Sequence, residues 1–191
     1  MYLHNRINSK SSYFQKVKEL DFILLFSILL LGLISLATMY STDGGQILFH
    51  TKSHFSKFVI FTILMLIISF FNIRFWFSLS YIFYIIVIIM LVWTINFGVV
   101  ASGSQRWINL YFINIQPSEL MKIFIILCLA KYFHRKRLEN VNSFYSVMIS
   151  MIIIFLPMSL VIIQPDLGTS ILITISGILV LWYSGLNHKY F

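Results

Sequence analysis

From Phe22 to Thr42 no side chain is charged, and from Val141 to Leu186 the only charge is Asp166. Runs of this kind leave few folds open. A helix rises about 1.5 Å per residue, so roughly 20 apolar residues span a hydrocarbon core about 30 Å thick. Lipid offers no hydrogen bonds to a backbone, so a spanning segment is either a helix or a strand in a closed barrel. The apolar blocks lack the alternating pattern of barrel strands, which leaves helices. With 59% hydrophobic and 10% charged residues, a chain of 191 residues cannot hide its apolar surface from water as a soluble globule. The expected fold is all-α: a polytopic helical membrane protein of about six transmembrane helices.

Taken in order, residues 1–21 form a basic leader in which Arg6, Lys10, Lys16 and Lys18 outnumber Glu19 and Asp21. The apolar run that follows is too long for a cleaved signal and has no small-residue cleavage site. The first span is expected at 22–42, with Asp43-Gly44-Gly45 turning the chain into a loop that reaches Lys57. His50 and His54 in that loop are four residues apart, but two histidines without a third ligand predict no metal site. The second span is expected at 58–73, bracketed by snorkelling Lys57 and Arg74. The third, 79–97, carries Tyr81, Tyr84 and Trp93 as ordinary aromatic furniture. The fourth is 117–133, where the single cysteine, Cys128, reads as a small buried hydrophobe. Gln164-Pro165-Asp166 divides the last block into spans at 144–163 and 167–184, since proline stops one helix and aspartate caps the next. The membrane domain is thus 22–186, and 187–191 form a tail.

Lysine and arginine accumulate on the cytoplasmic side of membrane proteins. With the N-terminus inside, that side holds Arg6, Lys10, Lys16, Lys18, Arg74, Lys131, Arg135, Lys136, Arg137 and Lys189. The other side holds Lys52, Lys57 and Arg106. Both termini are therefore expected in the cytoplasm. The positive charges sit between apolar blocks and form no single patch, so nucleic acid is not an expected partner; membrane lipid is.

Gly103 to Lys122 is the longest run of mixed polar character between Lys57 and the basic cluster at Arg135. It precedes and enters the fourth span, on the outer side by the charge count. Ile115-Gln116-Pro117-Ser118 before this span is echoed by Ile163-Gln164-Pro165-Asp166 before the sixth. In each, proline is expected at or near the first helical turn, where its missing N–H costs nothing. Both helix N-termini would present free N–H groups and positive dipole ends outward, suiting a phosphate or pyrophosphate. Arg106 adds a bidentate phosphate donor and Trp107 an interfacial aromatic, although an Arg-Trp pair also serves as a headgroup anchor. Glu119 and Lys122, three residues apart, share one helix face. Charges at membrane depth are costly alone, so they are expected to face the bundle interior, pair, and line an outward-opening cavity.

Gly103-Ser-Gln-Arg-Trp-Ile-Asn-Leu110, Gln116-Pro-Ser-Glu-Leu-Met-Lys122 and Gln164-Pro-Asp-Leu-Gly-Thr-Ser170, in that order on those spans, resemble the RodA/FtsW family of shape, elongation, division and sporulation proteins. The resemblance is closer to the RodA branch. It implies a multi-pass glycosyltransferase of the bacterial inner membrane that polymerises lipid II, the undecaprenyl-pyrophosphate-linked precursor of peptidoglycan, on the outer face. It also implies a class B penicillin-binding protein and the cell-elongation machinery as partners. The expected substrate cavity comprises Glu119, Lys122, Asp166, Arg106, Trp107, Gln116, Ser118 and Gln164, of which the resemblance carries over Glu119, Lys122, Asp166 and Trp107; the cofactor is left open. The family places its proposed catalytic aspartate in a large outer loop beyond the sixth span, and this sequence ends at Phe191. No catalytic residue is therefore expected within it, and the chain alone is expected to be inactive. A flippase for the same lipid-linked precursor, or a non-catalytic scaffold or remnant, would use the same polar cavity differently.

Overall fold

Asp21 begins the first helix: its Oδ1 accepts from the backbone N–H groups of Ile23 and Leu24, both at 3.0 Å. Two of the N–H groups that every helix start leaves without a partner are thereby satisfied. The computed structural model describes residues 20–101, 103–111, 113–134, 136 and 141–187. The basic leader beyond Leu20 and Asp21, the cations Arg135 and Arg137, and the tail from 188 lie outside the described residues. The helices are α1 (Phe22–Thr42), α2 (Phe49–Ser69), α3 (Ile73–Phe97), α4 (Pro117–His134), α5 (Phe144–Ile163) and α6 (Leu167–Tyr183). Of these α1, α2, α3 and α5 are long and apolar enough to cross a membrane, and α6 is a shorter apolar helix. The chain is a polytopic helical membrane protein. It forms two units, Met1–Asn72 and Ile73–Phe191.

In the first unit α1 and α2 are joined through Gly44 and Gly45, at φ 74° and 76°, a region that glycine enters without steric cost. The helix α2 begins at Phe49, so the stretch read as loop up to Lys57 is largely helical. The cause lies in the turn: Asp43 accepts from the backbone N–H of Thr51 at 3.0 Å and its hydroxyl at 2.6 Å, capping α2 from outside it. The hydroxyl of Thr51 holds the Asp43 carboxyl below its ordinary pKa. His54 Nε2 shares a 2.8 Å hydrogen bond with Ser35 Oγ of α1. At Gly32 the Phe58 ring comes so near that a Cβ would lie 2.1 Å from it, so α1 and α2 touch through a missing side chain.

The second unit has its core where α3, α4, α5 and α6 meet: Val87, Leu91, Met121, Ile125, Leu129, Ile154, Val161, Ile173 and Leu181 are all buried. On α5 the inward seam is Ser146, Ser150, Ile154, Pro157 and Val161, a spacing of about one turn. Small residues on such a seam let backbones approach, which drives association where lipid removes the hydrophobic difference. Gly177 of α6 is part of the same contact, because a Cβ there would lie 2.6 Å from Ile154 Cγ1. Pro157 cannot donate to the carbonyl of Ile153, and Tyr84 Oη of α3 donates to it instead at 2.9 Å. Tyr84 is thus not mere aromatic furniture, nor is Tyr81, whose ring lies 4.5 Å from the Lys131 ammonium.

Between α3 and α4 the chain adds what the all-helical expectation omits, an antiparallel three-stranded sheet in the order β1-β2-β3. Its strands are β1 (Val99–Ala101), β2 (Ser104–Asn109) and β3 (Asn114–Ile115). Trp107 stands opposite Val99, with a bulge before Val100, and Asn109 stands opposite Asn114. At the tip, Tyr111 is held at φ 63° and is 99% exposed. The sheet delivers Arg106 to one end of the second unit.

Candidate functional site

The starts of α4 and α6 meet at one carboxylate. Pro117 occupies the first turn of α4, where a missing N–H is harmless, and Gln116 directly precedes it. Gln116 Nε2 donates to Ser118 Oγ at 3.0 Å and to Asp166 Oδ2 at 2.8 Å. Asp166 is the N-cap of α6, with Oδ1 accepting from Thr169 N at 3.3 Å. Arg106 of β2 completes the junction, its Nη1 lying 3.3 Å from Asp166 Oδ2. Pro165 lies in the turn before this cap and not in the first helical turn, so the two echoed prolines occupy different positions.

The Asp166 side chain is 9% exposed and that of Arg106 25%. Burial alone would raise the Asp166 pKa. The hydroxyl and backbone N–H of Thr169, with the Arg106 guanidinium, outweigh burial and hold the carboxyl below its ordinary value of 3.8. Asp166 is therefore an anion at neutral pH that orients a cation. Arg106 spends Nη1 on this contact, while its buried Nε has no hydrogen-bond partner among the described residues.

Gln164 has a different task from its echo. Its amide donates to Leu91 O at 3.0 Å and to Thr94 Oγ1 at 2.8 Å, fixing the α5–α6 turn to the last turns of α3. The residue is 3% exposed, and its Oε1, like Ser104 Oγ, is buried with no hydrogen-bond partner among the described residues. Thr94, fully buried, belongs to the site region but was not singled out by sequence; a lone hydroxyl in an apolar stretch of α3 is the signal it carries.

Glu119 and Lys122 form an ion pair at 2.9 Å, with side chains 56% and 25% exposed. They pair, but Glu119 does not face the interior of the unit. The buried stripe of α4 is Ser118, Met121, Ile125, Cys128 and Leu129. At about 100° per residue Lys122 falls at the edge of that stripe and Glu119 beyond it. Their acid lies in the first turn, where it complements the helix dipole. Of the eight expected cavity residues, Arg106, Gln116, Ser118 and Asp166 are bonded together. Gln164 bonds α3 instead, and Glu119 and Lys122 bond each other. Trp107 follows Arg106 on β2, half-buried.

Residues 18–191 match the family model FtsW/RodA/SpoVE, described as cell cycle protein. The chain is 43% identical over 110 residues to the peptidoglycan glycosyltransferase MrdB of Escherichia coli strain K12, covering 56% of this chain and 28% of that protein. It is 34% identical over 188 residues to the probable peptidoglycan glycosyltransferase FtsW of Buchnera aphidicola subsp. Acyrthosiphon pisum, covering 96% of this chain and 47% of the relative. The chain spans about half the length of the curated relatives it matches. Among solved structures, the rod shape determining protein RodA of Thermus thermophilus aligns with a TM-score of 0.75 at 20% identity, covering 89% of this chain and 56% of that one. A chain from a peptidoglycan synthase complex that coordinates polymerization and crosslinking aligns with a TM-score of 0.75 at 21% identity, covering 88% and 49%. At these identities the structural likeness concerns the fold.

Proposed function

The chain belongs to the FtsW/RodA/SpoVE family of cell cycle proteins, and from that membership we propose that it serves peptidoglycan glycosyl transfer in the bacterial inner membrane. Its substrate in this reading is lipid II, held at the outer face by its pyrophosphate. The partners are a class B penicillin-binding protein and the elongation machinery. The names of the relatives support the reaction class. The observation that carries the assignment of the site is the junction of Arg106 with the starts of α4 and α6. Two helix N-termini and a guanidinium converge there, and each favours a nearby anion.

In this reading the described residues bind and orient. Asp166 aims Arg106 at the anion, Gln116 ties the two helix starts, and Glu119 positions Lys122 at the edge of the site. Glycosyl transfer also calls for a general base beside the acceptor hydroxyl. The four described carboxylates are otherwise engaged: Asp21 caps α1, Asp43 holds Thr51, Glu119 pairs with Lys122, and Asp166 with Arg106. None of them is assigned that role.

Binding of fluorescent lipid II to the purified protein in nanodiscs tests the site. Arg106→Gln should weaken binding about tenfold, the equivalent of one lost charge-assisted hydrogen bond, and undecaprenyl pyrophosphate should compete. Equal binding by Arg106→Gln would remove the site assignment. Liposomes loaded with the same lipid separate the reaction classes: glycan polymer supports transfer, whereas lipid movement without polymer would favour transport.

A further inference from the structure

Among the described residues, the end of the second unit opposite Asp166 carries cations and no carboxylate. There α4, Lys136 and Val141 beyond its end, and the end of α6 border an open cleft of about 310 Å³, lined by apolar Phe133, Val141 and Val180 and by polar His134, Lys136, Tyr183 and Ser184. We propose that this cleft is a binding site for an anionic phospholipid, whose phosphate is held by Lys136.

Lys136 is placed and not free to wander. Its Nζ donates to the buried Ser146 Oγ of α5 at 2.8 Å and lies 4.4 Å from the centroid of the Tyr132 ring. Neither contact neutralises it. An ammonium has three donors and Ser146 takes one, so the others remain for an anion. The Tyr132 hydroxyl is buried with no hydrogen-bond partner among the described residues. Lys131, itself buried, donates to the carbonyl of Ser78 and covers the Tyr81 ring, again with no carboxylate partner among the described residues. The two carboxylates described in the second unit are occupied elsewhere, Glu119 by Lys122 and Asp166 by Arg106.

Fixed positive charge beside an apolar cleft calls for an amphiphilic anion. The apolar lining decides between a lipid and free phosphate, because only the lipid gains from covering it. Basic pockets between membrane helices on the cytoplasmic side bind anionic headgroups in this manner. Under the orientation set by the lysine and arginine count, the cleft faces that leaflet.

The test is native mass spectrometry of the full chain released from nanodiscs of phosphatidylcholine with phosphatidylglycerol. Wild type should retain phosphatidylglycerol in preference to phosphatidylcholine, and Lys136→Gln should lower that retention roughly fivefold, the worth of one cation at a membrane surface. Lys136→Arg should keep it, and Lys57→Gln, a charge-matched control in the first unit, should not change it. Equal retention of both lipids by wild type, or unchanged retention in Lys136→Gln, overturns the proposal; so does full displacement of the lipid by inorganic phosphate. Should Lys136→Gln fail to fold, a photoactivatable phosphatidylglycerol on the unmutated protein decides. Labelling of peptides containing Lys136 or Ser184 supports the site, and labelling that avoids both refutes it.

Discussion

Tyr84 donates its hydroxyl to the carbonyl of Ile153, the group that Pro157 leaves without its helical N–H. A helix broken by proline is thus repaired from the neighbouring helix. In a membrane the repair is valuable, since lipid cannot supply the missing donor. Tyr84→Phe should cost about 1–2 kcal/mol, the price of a buried carbonyl left unsatisfied. In a Pro157→Ala background residue 157 regains its N–H, and the same change should cost less than about 0.5 kcal/mol. Denaturant unfolding of the four proteins in detergent closes this cycle.

Asp166 should make stability acid-sensitive. Its carboxyl is held below the ordinary value of 3.8 in the folded chain and returns to that value on unfolding. The unfolded state then binds the proton more readily, so the contribution is complete above the ordinary value and fades as pH falls through the folded one. The gap in unfolding temperature between wild type and Asp166→Asn should be constant above about pH 5 and narrow on further acidification. A gap that widened with acid would show that the carboxyl is not depressed.

Gln164 is needed as a donor. Its amide nitrogen reaches Leu91 O and Thr94 Oγ1 in a site 3% exposed. Gln164→Leu should cost about 1–3 kcal/mol by orphaning buried polar groups. Gln164→Glu should cost more at neutral than at acid pH, because an ionised carboxylate would meet the carbonyl oxygen of Leu91 and only its protonated form can donate to it. Thermal melts in which Gln164→Glu gains nothing over Gln164→Leu on acidification would contradict the donor role.

Gly177 should tolerate no side chain without a concession from Ile154, given the 2.6 Å approach to Ile154 Cγ1. Gly177→Leu should destabilise by about 1–3 kcal/mol through overfilling. Adding Ile154→Ala should recover part of that loss, so that the double variant falls short of the summed single effects in an unfolding assay.

The helices were legible because uncharged runs of spanning length admit one local structure in lipid. The start of α2 was not, since Lys52, His54 and Lys57 look like loop chemistry, whereas a helix capped by Asp43 carries them past the apolar run. The sheet was hidden for a related reason. Trp107 and Ile108 suit a strand or an interfacial anchor equally well, and only pairing with β1 and β3 decides. In the site, the acid–amine pair and the cap at Asp166 could be read from spacing. The partner of each glutamine could not: Gln116 and Gln164 sit in near-identical tetrapeptides, but one bonds Asp166 and the other reaches across to α3. Such contacts join residues 50 and 70 positions apart, a distance over which local pattern carries no information.

Asp166 Oδ2 receives both Gln116 and Arg106, while Oδ1 starts α6. One side chain thereby serves as the keystone of three chain segments. A variant at Asp166 disturbs β2, α4 and α6 together, and an inactive Asp166 mutant would be ambiguous testimony about chemistry. Arg106 and Gln116, each touching the keystone from one side, are the cleaner witnesses.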